Sequence, residues 1–201
     1  MADAIFVYFH GFLSSPRSVK AQQLVQFIDA NHLSIECVVP ELPEEPHRAF
    51  AVAEKAIKLA CEKNPSVGIL GSSLGGFYAT VFAERFGLRA VLINPSVRPH
   101  LRFGKFIQAD GNDLVNPYTD RRFTLDERDI DALATHAPER LTRLEKYWLL
   151  AQMGDEVIDY REAVDYYAGA KQTIEPDGDH AFQGFERYLP EIVKFLQLPL
   201  T

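Results

Sequence analysis

Unbroken runs of apolar residues alternate along this chain with segments in which apolar residues recur at helical spacing. Residues 5–9 form such a run, residues 67–70 and 147–153 are mostly apolar, and the content of all three is typical of strands covered on both faces. Shorter strands are predicted at 35–39, 89–94 and 171–176. Because strands and helices alternate, the pattern predicts an α/β fold with a doubly wound, mostly parallel sheet and right-handed crossovers.

The helical segments carry end signals. In the first of them Ser15 is predicted as the N-cap and Pro16 as the first helical residue, and the helix is expected to end near Asn31. Its inner face is predicted to carry the apolar residues at helical spacing, which are Val19, Leu24, Phe27 and Ile28. Further helices are predicted over 49–61, 74–86, 160–167 and 188–196.

Residues 96–145 differ from the rest of the chain, with many charges and scattered aromatic residues. One helix is predicted there, beginning at Thr124 with Glu127 as its capping-box partner. Its buried face is predicted to comprise Ile130, Leu133 and Ala134. Because about fifty residues are too many for a plain connection between strands, we interpret 96–145 as an insertion or lid within one domain of residues 1–201.

Composition narrows the class of protein. The chain has 201 residues, 47% hydrophobic and 24% charged, which fits one globular domain and excludes disordered and fibrous sequences. Its formal net charge of −7 argues against a nucleic-acid or anionic-membrane partner, since either needs a basic face. The first residues lack a leader pattern and no apolar run is long enough to span a membrane, so we expect a cytoplasmic, unanchored protein.

The cysteines and histidines of the chain lack the spacing of a metal site, and we expect no cofactor or metal. Cys37 and Cys61 lack C-x-x-C spacing and are interpreted as packed apolar residues. Four histidines that lie at helix ends or in the insertion also lack ligand spacing, namely His32, His47, His100 and His136. Four arginines are open to two interpretations, contact with an anionic substrate group or a solvated surface; they are Arg98, Arg102, Arg121 and Arg122.

The segment that carries the chemistry is the Gly-x-Ser-x-Gly sequence from Gly71 to Gly75. An apolar strand leads into it, and a helical pattern that closes at Gly87 follows it. In such a strand-turn-helix context Ser73 is exposed above the sheet at a helix N-terminus, where negative charge is favoured. The alternative is that Ser73 merely caps the helix.

A nucleophilic serine needs a base to take its proton and an acid to hold that base. His180 follows the last predicted strand and Asp155 follows the strand before it, so both are expected at the same sheet edge as Ser73. Asp159, Asp177 and Asp179 are alternatives for the orienting acid, although the last two are better explained as turn residues.

Two backbone N–H groups are needed for the charge that develops on a carbonyl oxygen. We expect them from Leu74, directly after the serine, and from Phe12, in the turn after the first strand, where Gly11 permits a tight bend. His10 is interpreted as a structural residue beneath this turn. The substrate pocket is predicted to include Gly11, Leu13, Phe77 and Phe182.

At these residues the chain resembles the α/β-hydrolase superfamily, in which nucleophile, acid and base follow in that order. More narrowly, it resembles the small YqiA-type bacterial esterases in the sequences HGFLSSP at 10–16 and GSSLGGFYA at 71–79. The segments GDEV at 154–157 and DHAF at 179–182 also match. The resemblance implies an α/β-hydrolase fold that lacks the first strands, and so about six or seven strands. It implies esterase activity on short acyl esters, with acyl-CoA thioesters as a further class.

The leading hypothesis is a serine hydrolase that cleaves a small-molecule carboxylic ester or thioester through an acyl-enzyme. Ser73 would attack, His180 would relay the proton and Asp155 would fix the imidazole. The same scaffold also supports lyases, which is the second hypothesis, and a non-catalytic binding protein is the third. The sequence does not determine the oligomeric state.

Overall fold

The central sheet consists of six strands, all paired in parallel. The computed structural model describes residues 2–107 and 113–197. Within these ranges the strands are β1 (Ala4–Phe9), β2 (Ile35–Val38), β3 (Val67–Ser72), β4 (Arg89–Ile93), β7 (Tyr147–Gln152) and β8 (Lys171–Glu175). Their order across the sheet is β2-β1-β3-β4-β7-β8. The predicted doubly wound parallel sheet is confirmed, with six strands.

Helices cover both faces of this sheet. They are α1 (Val19–Ala30), α2 (Pro46–Lys63), α3 (Leu74–Phe86), α4 (His100–Phe103), α5 (Glu127–His136), α6 (Tyr160–Tyr166) and α7 (Leu189–Leu196). Helices α1 and α7 contribute to the hydrophobic core on one face, and α2, α3, α5 and α6 to the core on the other. Among the described residues, every helix is too short or too polar to cross a membrane.

The inner strands β1, β3, β4 and β7 are buried along their whole length. This burial explains their near-continuous apolar sequences, because a parallel sheet covered on both sides has no solvent face. The carboxyl ends of these strands share one edge, and the loops that leave that edge carry the candidate site residues.

The region between β4 and β7 contains α4, α5 and a two-stranded antiparallel ribbon of β5 (Leu114–Val115) and β6 (Arg122–Phe123). Residues 108–112 of the predicted insertion 96–145 lie outside the described residues. The buried carboxylate of Asp129 joins this region to α2, because it accepts hydrogen bonds from the backbone and the ring of His47 at 3.2 and 2.7 Å. The role of the region as a lid stays a prediction.

The predicted start of the first helix is wrong. The N-cap position belongs to Ser18, and Ser15 lies in the preceding turn, where its Oγ accepts a hydrogen bond from the Arg17 amide at 3.1 Å. Val19, predicted on the inner face, is 68% exposed, whereas Ala21, Leu24 and Ile28 form the buried face of α1. A serine that bonds the amide two residues ahead makes a local turn that competes with a helix cap.

The insertion helix also begins later than predicted. Its N-cap is Asp126, whose carboxylate accepts from the Arg128 amide, and Asp129 completes the capping box in place of Glu127. Thr124 precedes the helix, and Ala134, predicted to be buried, is exposed. Aspartate is at least as good an N-cap as threonine, so the residue type alone gave no preference for Thr124.

Candidate active site

Ser73 occupies a strained turn between β3 and α3. Its φ of 56° and ψ of −122° lie outside the regions favoured by residues with a side chain, and its hydroxyl makes no cap hydrogen bond to the helix. A strained backbone of this kind costs about 1–3 kcal/mol. The alternative interpretation of Ser73 as an ordinary helix cap therefore finds no support in its contacts.

The side chain of His180, the predicted base, lies against this serine. His180 Nε2 is 3.0 Å from Ser73 Oγ, although the two residues are 107 positions apart in the chain. The imidazole is partly exposed, with 23% of its side chain accessible. With the ring proton on Nδ1, Nε2 is free to accept the serine proton, which is the arrangement a general base needs.

The opposite ring nitrogen faces a buried carboxylate. His180 Nδ1 lies 2.8 and 3.0 Å from the two carboxylate oxygens of Asp155, whose side chain is 1% exposed. The amides of Val157 and Ile158 donate to the same carboxylate at 2.9 and 2.8 Å. These bonds fix the carboxylate, which in turn selects the Nδ1-protonated form of the ring.

The other aspartates considered from the sequence lie elsewhere. Asp159 is the N-cap of α6 and pairs with Arg161. Asp177 has a φ of 59° in the turn after β8, and Asp179 Oδ2 accepts from the side chain of Gln183 at 2.6 Å. The structure therefore brings Asp155, and none of these three, into contact with the imidazole.

The two predicted oxyanion amides flank the serine. Leu74 N–H is the first amide of α3 and so lacks an acceptor within the helix. Gly11 lies so close to Ser73 that a Cβ on it would be 3.3 Å from Ser73 Cβ and 3.8 Å from Oγ, which places the turn containing Phe12 beside the hydroxyl. Within the part of the chain that the structure describes, the Phe12 amide donates to no acceptor.

His10 supports this turn from below. Its Nδ1 lies 3.0 Å from the Gly11 carbonyl oxygen, and its Nε2 accepts the Leu42 amide at 3.2 Å. Burial lowers the pKa of the His10 imidazole from its ordinary value of 6.5, because the charged form is poorly solvated there. A neutral ring with its proton on Nδ1 satisfies both contacts, as expected for a structural residue.

An aromatic cluster holds the Phe12 side chain in place. The ring of Phe12 lies 4.9 Å from Phe103, 5.0 Å from Phe106 and 5.9 Å from Phe123, measured between centroids. Sequence reasoning missed these three partners, since scattered aromatic residues in an irregular region have no periodicity. The insertion therefore packs directly on the turn beside Ser73.

A cleft of about 640 Å³ opens beside Ser73 and His180. Of the four residues predicted for the substrate pocket, Gly11, Leu13 and Phe182 line this cleft. The prediction for Phe77 is wrong. Phe77 is 1% exposed and packs edge-on against Phe50 at 6.2 Å, because the inward side of α3 turns its side chain into the core.

The cleft also contains polar residues that the sequence did not single out. Lys20 Nζ donates to the carbonyl oxygen of Ala181 at 2.6 Å. Burial lowers the pKa of the Lys20 ammonium to about 8, while Asp179 and Asp155 act in the opposite direction. Gln23 and Tyr118 line the same cleft. Helix spacing gave no reason to select these residues from α1 and the insertion.

Two of the four insertion arginines considered from the sequence pair with carboxylates of this chain. Arg121 contacts Glu44 at 2.7 Å and Glu45 at 2.8 Å, and Arg102 pairs with Glu162. Both guanidinium groups are thus bound by carboxylates of this chain, which argues against a role for these two arginines in contact with an anionic substrate. Arg98 lines a separate cavity of about 610 Å³ next to α6.

Comparison with protein families gives a match over nearly the whole chain. The model of a family described as "Uncharacterised protein family (UPF0227)" matches residues 5–197. A "UPF0227 protein" of Shewanella woodyi is 29% identical over 96 residues, which cover 47% of this chain and 52% of that relative. The match to this curated relative thus spans about half of its length.

Solved structures share the fold at low sequence identity. Est1E from Butyrivibrio proteoclasticus aligns with a TM-score of 0.70 and 12% identity, over 97% of this chain and 87% of that one. A structure titled for LipS and LipT, two metagenome-derived lipolytic enzymes, aligns with a TM-score of 0.70 and 17% identity, over 97% of this chain and 94% of that one. Mouse alpha/beta hydrolase domain-containing protein 10 aligns with a TM-score of 0.65 and 16% identity, over 96% of this chain and 88% of that one. The α/β-hydrolase fold is thereby confirmed.

Proposed function

This chain belongs to the UPF0227 family, whose description assigns no activity, and we propose that it is a serine hydrolase that cleaves carboxylic esters through an acyl-enzyme. The observation that carries the proposal is the continuous relay from Ser73 Oγ through His180 to Asp155, with contacts of 3.0 and 2.8 Å. A serine hydroxyl is a weak nucleophile until a base takes its proton, and this relay supplies the base.

In the first half of the proposed reaction, Ser73 Oγ attacks the ester carbonyl carbon while His180 Nε2 takes the hydroxyl proton. Asp155 stabilises the imidazolium that forms and does not itself take the proton. The tetrahedral intermediate then collapses, the bond to the alcohol oxygen breaks, and the alcohol leaves with the proton from His180. The acyl group stays on Ser73.

In the second half, His180 takes a proton from water, whose oxygen bonds to the acyl carbon. The bond to Ser73 Oγ breaks and the serine regains its proton from the imidazolium, which releases the carboxylic acid. In both halves the negative charge on the former carbonyl oxygen would be stabilised by the amides of Phe12 and Leu74. Preorganised donors of this kind contribute about 10²–10³-fold in kcat each.

The substrate class rests on the cleft and on the named neighbours. An opening of about 640 Å³ accommodates a small-molecule ester. The name of one structural neighbour describes lipolytic enzymes and refers to lipase and esterase families, and the shared fold makes the same class of reaction the first to test here. Thioesters, including acyl-CoA, are the second substrate class of the proposal.

The test combines a covalent probe with a substrate panel. A fluorophosphonate is expected to label one serine per chain, and the Ser73→Ala variant to lose both labelling and turnover of p-nitrophenyl esters, by about 10³-fold or more. The neighbouring variant Ser72→Ala serves as the matched control and is expected to keep labelling. Turnover at the wild-type rate in Ser73→Ala would refute the proposal. Acyl-CoAs run beside the esters decide between the two substrate classes.

A further inference from the structure

The segment that carries His180 has no regular secondary structure. Between β8 and the 3₁₀ turn Phe185–Tyr188, the backbone has positive φ at Asp177, Gly178 and Phe182. A loop of this kind cannot hold its shape through its own ladder of hydrogen bonds. The position of the imidazole therefore depends on what binds the backbone of the loop.

Among the described residues, two buried side-chain amides bind the backbone of this loop, and the first belongs to Asn94. This residue follows β4, is 3% exposed and has a φ of 41°. Its Nδ2 donates to the carbonyl oxygens of Asp179 at 2.9 Å and His180 at 3.2 Å, and its Oδ1 accepts from the Gln152 amide at 3.0 Å.

Gln152 is the second amide. It is the last residue of β7 and is 2% exposed. Its Oε1 accepts from the amides of Asp179 at 3.2 Å and Gln183 at 2.8 Å, and its Nε2 donates to the Gln183 carbonyl oxygen at 2.9 Å. The fourth bond, from Nε2 to Glu175 at 2.7 Å, fixes the amide itself.

The loop is built around this contact. A Cβ on Gly178 would lie 2.1 Å from Gln152 Oε1, so only glycine allows the backbone to approach the amide this closely. The two amides together bind backbone groups on both sides of His180, at Asp179 and at Gln183. The ring is thereby held from both ends of a short segment.

The same strand end also holds the nucleophile. The Ser73 amide donates to the Ile93 carbonyl oxygen at 3.0 Å, and Ser96 N–H donates to the Ser73 carbonyl oxygen at 3.0 Å. Asn94 lies between these two partners in sequence. The residues that follow β4 therefore fix the backbone of the serine, and through the Asn94 side chain also that of the histidine.

The geometry points to Asn94 and Gln152 as positioning residues that set the distance between His180 Nε2 and Ser73 Oγ. They do not touch the reacting atoms and act through the backbone of the histidine loop. This inference rests on the proposed function. Rates of acyl transfer are sensitive to such placement, since a shift of about 1 Å can cost about 10²-fold.

The variants Gln152→Met and Asn94→Gly test the inference. Methionine keeps the length of the side chain and removes its hydrogen bonds, and glycine accepts the positive φ at position 94. Gln172→Met is the matched control, because the Gln172 amide also binds two backbone carbonyl oxygens, those of Val164 at 3.0 Å and Tyr167 at 2.9 Å, away from the histidine loop.

The measurements are kcat, KM, the rate of fluorophosphonate labelling and the urea midpoint. Both site variants are expected to lower kcat and the labelling rate by about 10- to 100-fold with KM within about twofold, whereas Gln172→Met changes only the midpoint. A purely structural role would lower the midpoint in all three variants and leave kcat of the folded protein unchanged, which would overturn the inference. If one site variant does not fold, kcat and the labelling rate of the other variant still test the inference.

The outcome for the wild-type protein separates the two proposals. If Ser73 is not labelled in the wild type, the proposed function fails and the positioning role fails with it. If the wild type is labelled and both site variants keep its rate, only the positioning role fails.

Discussion

The carbonyl oxygen of Gly75 occupies the space that a side chain on Gly71 would need. A Cβ built on Gly71 would lie 2.1 Å from that oxygen, and a Cβ on Gly75 would lie 2.0 Å from the Phe9 carbonyl oxygen. The strand and the helix on either side of Ser73 therefore touch backbone to backbone. This contact is the reason that the sharp turn can form.

Gly71→Ala is expected to destabilise the fold by about 3–5 kcal/mol, since the three atoms nearest to the added methyl group are backbone atoms, which cannot move away cheaply. Gly104→Ala is the control, because the nearest atom to its Cβ is Ile130 Cδ1 at 3.7 Å. Urea unfolding monitored by circular dichroism measures both. Equal midpoints for the two variants would contradict the packing argument.

Asp155→Asn is expected to lower kcat by about 10³–10⁴-fold with little change in KM, since an amide can donate to Nδ1 and so favour the wrong tautomer of His180. Asp159→Asn, at an exposed helix cap four residues later, is expected to keep the wild-type kcat. Steady-state kinetics on a p-nitrophenyl ester compares them. A larger loss in the second variant would move the orienting role to Asp159.

Substitution of Phe77 is predicted to lower the stability of the protein, and substitution of Tyr118 is predicted to weaken substrate binding. Phe77→Ala should cost about 3–5 kcal/mol of stability, because the ring is fully packed in the core, and leave the preference for ester chain length unchanged. Tyr118, which lines the cleft and is 45% exposed, should affect stability little and raise KM several-fold when changed to alanine. A changed chain-length preference in Phe77→Ala would restore Phe77 to the substrate pocket.

His10 gives a prediction about pH. Its pKa is lowered in the folded protein, so between that value and the ordinary 6.5 the unfolded chain binds more protons. The stability that depends on the neutral ring is complete above pH 6.5 and is lost as the pH falls below it. The difference in unfolding free energy between wild type and His10→Gln should therefore shrink from pH 7 to pH 5. A difference independent of pH would show that burial of this ring is not coupled to its protonation.

The order of elements was predictable because it depends on local patterns. The runs at 5–9, 67–70 and 147–153 match β1, β3 and β7 closely, since strands buried on both faces are apolar whatever their neighbours are. Helix starts were less predictable. Ser15 and Ser18 are the same residue type, so type alone does not choose between them, and the Ser15 hydroxyl binds the Arg17 amide in a turn before the helix.

The candidate site was predictable as a set of residues and less so as a cavity. Ser73, Asp155 and His180 could be selected because strand ends on a parallel sheet share one edge, and the structure places them in contact; their catalytic roles stay predictions. Phe77 was misplaced because helical periodicity alone does not say which side of α3 faces the cleft.

Local sequence patterns were sufficient to predict the alternation of strands and helices, the serine turn and the short list of residues that could serve it. These are properties of residues close together in the chain. The folded structure was needed to identify the carboxylate that reaches the imidazole, the aromatic rings around Phe12, and the contacts of Asn94 and Gln152 with the histidine loop. Such contacts join residues distant in the chain, and hydrogen bonds form only where folding brings donor and acceptor within about 3 Å.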